Sequence, residues 1–382
     1  MKNNYKNAGV GPSSNKLSGR ILKKHLVLIG FLILSPFYSF SQGCVAIRSN
    51  GMCTMEHPMT DSAARSWQLN TGYRYFKSFR HFRGKEEQKE RLVAGTEVIN
   101  WQSSLDIAVV RQFNQRWSMT VGLPLVYNDR SSLYEHGRTE RHTSSAASIG
   151  DLRLVANRWM LDPAKANKGN FQIGMGLKLP TGAYKASDTF YNVGPGGTEE
   201  IRPVDQSIQP GDGGLGLVTE LNAFYNVSDR LGSYANLFYL LNPRETNGTR
   251  TYREVLSATL ANEAIMSVTD QYMIRAGLNY DFAGKLHNLS LDAGGRMEGI
   301  PVYDLIGGSQ GFRRPGYVIS VEPGLRYRFS KVNFFASVPV ALSRNRTQSV
   351  TDKENSEIRN VFVNGDAAFA DYSINMGLAY RF

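Results

Sequence analysis

The chain has 382 residues, of which 41% are apolar, 20% charged and 11% aromatic. Its apolar residues do not gather into repeated runs of roughly 20, which excludes a helical membrane protein, and its 19 Tyr and 19 Phe exclude a disordered one. The formal charge of +11 points toward nucleic acid only until its distribution is read.

Residues 1–42 carry Lys2, Lys6, Lys16, Arg20, Lys23 and Lys24 and no acid. Lys23-Lys24-His25 leads into an apolar run at 26–37, too short to span a bilayer, and small residues follow at Ser39 and Ser41. This is the layout of a secretory signal peptide, with cleavage expected near Ser41 or Gln42. Without those six cations, 38 basic residues stand against 33 acidic ones and the net charge is +5, so no nucleic-acid partner is expected.

Residues 43–66 read as a short periplasmic segment holding both cysteines, Cys44 and Cys53. An even pair at short spacing in an exported chain reads as a disulfide. The alternatives are free thiols, a lipid anchor on Cys44, and a metal site of Met52, Cys53, Met55, His57 and Met59. Sulfur and nitrogen donors of that kind suit copper(I).

From Trp67 onward the sequence alternates with a period of two, the repeat of a strand whose two faces differ. Trp67, Leu69, Thr71, Tyr73 and Tyr75 alternate with polar or small residues that include Arg74. Strands at 99–109 and 117–127 follow, with Asp106 on the polar face of the first. Leu152, Leu154 and Ala156 oppose Asp151, Arg153 and Asn157, and the next strand sets Gln172, Gly174, Gly176 and Lys178 against an apolar face. Glu220 sits on the polar face of 215–225, while 231–241 is apolar on both faces. Later strands place Arg275, then Asp292, Arg296 and Glu298, then Glu322, Arg326 and Arg328, and finally Arg381 opposite apolar neighbours.

The alternation gives about twelve strands, most near ten residues long, the length that a tilted strand needs to cross the hydrocarbon layer. Short connections alternate with long polar ones at 77–92, 128–149, 181–213, 242–268, 299–316 and 343–369. Trp67, Trp117, Phe171, Tyr225, Tyr280, Phe329 and Phe382 fall near the short-turn ends, and Tyr75, Tyr127, Tyr239, Tyr272 and Tyr317 near the long-loop ends. Such residues form the interfacial girdles of an outer-membrane barrel. The fold expected is therefore all-β: a transmembrane antiparallel β-barrel over 67–382, with short periplasmic turns and long extracellular loops. Lipid cannot hydrogen-bond a free sheet edge, so the sheet must close.

The last stretch, ending in Tyr380 and Phe382, resembles the C-terminal signal read by the outer-membrane assembly machinery of Gram-negative cells. Ser148-Ile149-Gly150-Asp151-Leu152 and Gly176-Leu177-Lys178-Leu179-Pro180-Thr181-Gly182 add a second resemblance. Together they look like the outer-membrane barrel family named for the meta-pathway of phenol degradation, distantly similar to transporters of hydrophobic compounds and long-chain fatty acids. That resemblance implies uptake of aromatic or hydrophobic molecules.

Isolated charges facing lipid would cost roughly 2–4 kcal/mol at mid-depth, so Arg74, Asp106, Arg153, Lys178, Glu220, Arg275, Asp292, Arg296, Glu298, Glu322, Arg326 and Arg328 are expected to line the lumen. Cross-strand pairing of 292–298 with 322–328 is expected, and a constriction there. The Gly-rich runs at 194–197 and 209–214 lack a following Lys-Ser/Thr or helix, so they are not nucleotide cradles and no cofactor is expected. Folded inward, the 181–213 loop would constrict the pore, and 299–316 is a second candidate for the mouth. No histidine is spaced beside a strand serine as a hydrolase would need, so no enzyme is expected.

The reading is an outer-membrane channel for passive uptake of small molecules, in contact with outer-membrane lipids. A structural or adhesive barrel working through its loops is the alternative. Thiol labelling of the exported protein checks the cysteine assignment: Cys44 and Cys53 are expected to label only after reduction, and labelling without reductant would exclude the disulfide.

Overall fold

The computed structural model describes residues 66–253 and 256–382. The expected signal peptide, both cysteines and the Met52–Met59 alternative lie outside the described residues. Twelve antiparallel strand positions close into a barrel. The first three are β1 (Trp67–Arg83), β2 (Ile99–Gln112) and β3 (Trp117–Ser132). The fourth, β4, is broken into His142–Ile149 and Leu152–Trp159. Next come β5 (Gly169–Leu179), β6 (Gly216–Asn226), β7 (Leu231–Leu241), β8 (Gln271–Asp281), β9 (Leu289–Ile300) and β10 (Gly316–Arg328). The eleventh, β11, is again broken, into Val332–Ser337 and Val340–Arg346, and β12 (Ala367–Arg381) completes the ring.

Each strand pairs with its neighbours in sequence, and β12 returns to β1. That seam runs from Gln68 opposite Arg381 to Phe82 opposite Ala367. Its lower end is locked by two backbone bonds, Trp67 N–H to Phe382 O (3.1 Å) and Phe382 N–H to Trp67 O (3.0 Å). The ring therefore leaves no edge, and its backbone groups pair from strand to strand all the way round. Short turns build one rim. The Asn114 side chain shapes one of them, accepting from the N–H groups of Arg116 and Trp117, both at 2.9 Å.

The two breaks share a cause. Proline lacks the N–H that a ladder needs. Pro124 in β3 faces β4, and its carbonyl accepts from Gly150 N–H (2.8 Å), at the break in β4. Pro323 in β10 faces β11, and its carbonyl accepts from Val338 N–H (3.0 Å), at the break in β11. Each proline thus lies opposite a bulge, where no donor is required. The β4 bulge also switches parity: Ser144 and Ala146 are buried above it, Val155, Asn157 and Trp159 below it.

Several strands outrun the expectation. Residues 77–92, 128–149 and 343–369 were expected as loops, yet β1 runs to Arg83, β3 to Ser132, β4 starts at His142, β11 reaches Arg346 and β12 starts at Ala367. Most of these extensions are polar on both faces, so no hydrophobic alternation marks them. The long loops also carry structure of their own. Thr246–Arg250 pairs with Ile265–Ser267, and Ser187–Phe190 with Glu200–Pro203. The helices α1 (Lys89–Val93) and α2 (Val350–Arg359) also lie there, α2 opened by a reciprocal Ser349–Asp352 capping box.

The outward face of the strands is apolar and the girdle residues lie on it; Trp67, Trp117, Tyr127, Tyr225, Tyr280 and Phe382 are all exposed. Ala276 lies on that face midway between Tyr272 and Tyr280. Ala276→Arg is expected to destabilise folding into lipid vesicles by about 2–4 kcal/mol, read from urea titrations. A change below about 0.5 kcal/mol would mean that this face does not meet lipid.

Candidate functional site

Inward residues turn the barrel interior into a polar lumen. On one wall, Arg275 Nε donates to Glu322 (2.7 Å) and Ser337 Oγ donates to the other oxygen of that carboxylate (2.8 Å). Arg296 pairs with Glu298 at 2.9 Å and lies 3.8 Å from Glu322, while Arg326 grips Asp292 through two bonds at 2.9 and 3.0 Å. Nearer the seam, Arg74 donates to Asn375 (2.9 Å). Beside Arg275, on the next strand, an amide chain begins at Asn236 and runs to Asn222 (2.8 Å) and on to Gln172 (3.4 Å). Buried ions need this degree of pairing to offset their desolvation.

The long loop 180–215 bends into the lumen, and its turning point is the break in β4. Asp151 caps both ends of the loop: Oδ1 accepts from Gly182 N–H (3.0 Å) and Oδ2 from Asp212 N–H (3.1 Å). Thr181 Oγ1 accepts from Leu152 N–H (2.9 Å), and Gly211 N–H donates to Ala183 O (2.8 Å). Lys178 pairs with Asp212 and lies 3.9 Å from Asp151. The backbones pass so closely that a Cβ on Gly182 would stand 2.7 Å from Gly150 C, and one on Gly211 would stand 2.8 Å from Gly182 C. The segments at 148–152 and 176–182 thus meet here, and their chemistry is that of a loop hinge.

Beyond the hinge, residues 205–209 cross the upper lumen. They reach the wall through side chains: Gln102 Nε2 donates to Ser207 O (3.0 Å), Asn128 Nδ2 to Ile208 O (3.1 Å), and Gln206 Nε2 to Ser267 O (2.7 Å). Val204 and Ile208 are fully buried against Ala146. The charged anchor is Asp205. Arg314 donates to both of its oxygens (2.8 and 2.7 Å) and Arg130 approaches to 3.4 Å, while Ser207 N–H and Oγ donate at 3.0 and 2.7 Å. Arg130 is itself held by Glu135 at 2.6 Å.

Burial acts most strongly on Asp205 and opposes ionisation. Arg130, Arg314 and the Ser207 N–H outweigh it and hold the carboxyl well below the usual carboxylate range. A folded-state pKa below the unfolded one stabilises above the unfolded value, about 3.9, and the contribution fades only as pH falls further. The anchor is therefore intact at neutral and mildly acidic pH.

Two cavities that share no lining residue lie near the segment: Gln206, Ser207 and Gln209 line one, and Arg130 and Arg314, which hold Asp205, line the other. The first is a space of about 120 Å³ bordered by Arg74, Arg153, Lys178, Asp151 and Gln206. The second is a vestibule of about 700 Å³ at the long-loop end.

Of the expected lumen residues, Lys178, Glu220, Arg275, Asp292, Arg296 and Glu322 are buried in the interior. Asp106 faces inward opposite Gly72 and Pro124, and Arg153 lies over the Phe238 ring at 5.4 Å. Arg328 departs from the expectation: it is exposed at the short-turn rim, 3.4 Å from Asp281. Parity gives the face of a side chain but not its depth, and the strand ends there. Residues 205–209 cross the upper part of the lumen, while the 292–328 charges pair with one another on the wall. Of the two placements open to the 181–213 loop, inward or outward, its 204–209 part lies inward, and Arg314 of 299–316 reaches Asp205 there. Asp205 and Arg130 were not singled out from the sequence. The one signal was a pair of apolar residues, Val204 and Ile208, inside a polar loop.

His81, expected in a loop, lies in β1 and accepts from Val98 N–H (2.8 Å). His136 comes 3.5 Å from Ser144 Oγ, an approach that the sequence spacing concealed. Its Nδ1 accepts from Tyr191 N–H (3.2 Å), so Nε2 carries the proton and points it at the hydroxyl. A base that activates serine needs the reverse arrangement. Burial and the neighbouring His142 push His136 down to about 4.

No protein family matches the sequence, and no curated protein does. Among solved structures, an outer membrane channel from Pseudomonas putida F1 superposes with a TM-score of 0.53 at 11% identity, over 84% of this chain and 97% of that one. A monoaromatic hydrocarbon channel, a deletion mutant of TodX, aligns with a TM-score of 0.41 at 10% identity, over 90% and 95%. The translocator domain of the autotransporter NalP from Neisseria meningitidis aligns with a TM-score of 0.39 at 15% identity, over 85% and 91%. The first likeness establishes the fold, the closed barrel of outer-membrane channels.

Asp205→Asn removes the charge from the anchor and weakens its hold on Arg314 and Arg130. Breaking a buried pair costs about 3–5 kcal/mol, and the loss here falls on the loop. Trypsin cleavage after Lys185 is expected to quicken by at least about tenfold while the barrel keeps its heat-modifiable migration. An unchanged cleavage rate would show that Asp205 does not hold the loop.

Proposed function

We propose that the protein is an outer-membrane channel for passive uptake of small molecules, gated in width by the 180–215 loop. The observation that carries this reading is a pair of separate cavities, one lined by residues of the 205–209 segment and the other by Arg130 and Arg314, which hold its Asp205. That segment is fastened to the wall by side chains rather than by sheet pairing. Side-chain fastening lets the segment move without opening the barrel. A lumen lined by paired Arg, Asp and Glu and by amides offers hydrogen bonds to a passing solute, and the residual open width sets selectivity.

Polar or charged small molecules suit such a path. The resemblance carried by 148–152 and 176–182 supports solutes with an aromatic or apolar body. The pairing of the C-terminal strand with β1, up to Phe382, supports delivery of that strand to the outer-membrane assembly machinery, with the signal peptide providing export. A second reading is favoured by the exposed loop residues Leu305, Ile306 and Phe362: a barrel that works through surface contacts.

Liposome swelling separates the two. Vesicles holding the refolded protein are expected to swell in small sugars and amino acids, with a steep loss of rate as solute size grows. Swelling no faster than in protein-free vesicles would overturn the channel and leave the surface reading.

A further inference from the structure

The vestibule near the 205–209 segment has a composition that uptake alone does not require. Six arginines border it, Arg91, Arg130, Arg138, Arg202, Arg253 and Arg314, against two lining acids among the described residues, Glu135 and Asp366. Four of the arginines are committed. Arg91 pairs with Asp366, Arg130 with Glu135 and Asp205, Arg314 with Asp205, and Arg202 with Glu200 at 2.7 Å.

The other two are less engaged. Arg138 is exposed, held over the Tyr134 ring at 5.4 Å in a left-handed backbone with φ 66°. Arg253 is ion-paired through its Nη1 to Glu263 at 3.6 Å, beyond hydrogen-bond distance. Burial pushes the Glu263 carboxyl up, and Arg253 opposes that rise.

Aromatic and apolar groups stand beside these cations. Tyr134 and Tyr252 line the vestibule together with Val193 and Leu260. The Arg253 guanidinium sits over the Tyr252 ring at 5.3 Å, and that ring stacks on Phe190 at 5.9 Å. A planar cation against an aromatic face matches an anionic head on an apolar body. The volume, about 700 Å³, falls within the range of small-molecule sites, roughly 300–1,000 Å³.

We propose that this vestibule is a binding site for organic carboxylates with a ring-sized apolar body, whose carboxylate is taken by Arg253 and Arg138. The proposal rests on the channel reading in one respect: the vestibule is taken as the outer mouth of the path. A carboxylate held there lies on the same side as Arg314 and Arg130, the cations that fasten Asp205, so the site loads solute at the point where the loop is held.

Calorimetric titration of the refolded full barrel in detergent tests the site without any need for flux. Benzoate is the probe, with benzyl alcohol and acetate as its uncharged and ringless counterparts. Saturable benzoate binding is expected, at least about tenfold tighter than either counterpart. The double variant Arg138→Gln/Arg253→Gln is expected to weaken it by about tenfold or more, while Arg111→Gln at the opposite rim leaves it unchanged. Benzoate binding no tighter than benzyl alcohol or acetate would overturn the proposal. So would wild-type affinity in a double variant that keeps its heat-modifiable migration. Swelling is read separately, so binding without flux would fault the channel and flux without binding would fault the site.

Discussion

Every backbone N–H and C=O that enters the hydrocarbon layer must find its partner inside the protein, and this requirement organises the whole molecule. It closes twelve strands into a ring and joins the last strand to the first. It also explains why two prolines within strands are tolerated. Pro124 and Pro323 each remove a donor, and each is met by a bulge in the next strand where no acceptor is left waiting. The break opposite Pro124 is where the 180–215 loop turns inward, because Asp151 at the bulge is free to cap the loop backbone instead of extending the ladder.

The lumen follows a different physics from the wall. Outside, apolar side chains face lipid one by one. Inside, most buried charges are paired: Arg275 and Arg296 with Glu322, Arg326 with Asp292, Lys178 with Asp212. The loop segment is admitted on the same terms. Its one deeply buried acid, Asp205, meets two guanidiniums and a serine, and two apolar residues fill the space around it. An anchor of side chains can be released at a local cost, whereas the sheet cannot.

Much of this was legible in the sequence, for a reason that also marks the limit. Residues such as Leu105, Leu125 and Leu278 alternate with polar partners because one face meets lipid, so the spanning part of each strand, its face and the loop alternation could be read. Where the strands rise above the membrane, as at 128–132 and 142–146, the lipid no longer selects for apolar residues and the alternation fades. Depth was not readable either: Arg326 and Arg328 share a face, but one reaches Asp292 and the other the rim. Least readable was the anchor, because Arg314 and Arg130 meet Asp205 only through the closure of the ring. The two short segments that carried the family resemblance are now explained as the two sides of the loop hinge.

The central claim is that residues 205–209 narrow the pore and that Asp205 keeps them there. Single-channel conductance of the protein in planar bilayers, compared with that of Asp205→Asn at the same salt and neutral pH, tests it most directly. Small steps are expected for the wild-type protein, and steps several times larger, or long open bursts at the larger level, for the variant. Identical conductance in the two proteins would contradict it.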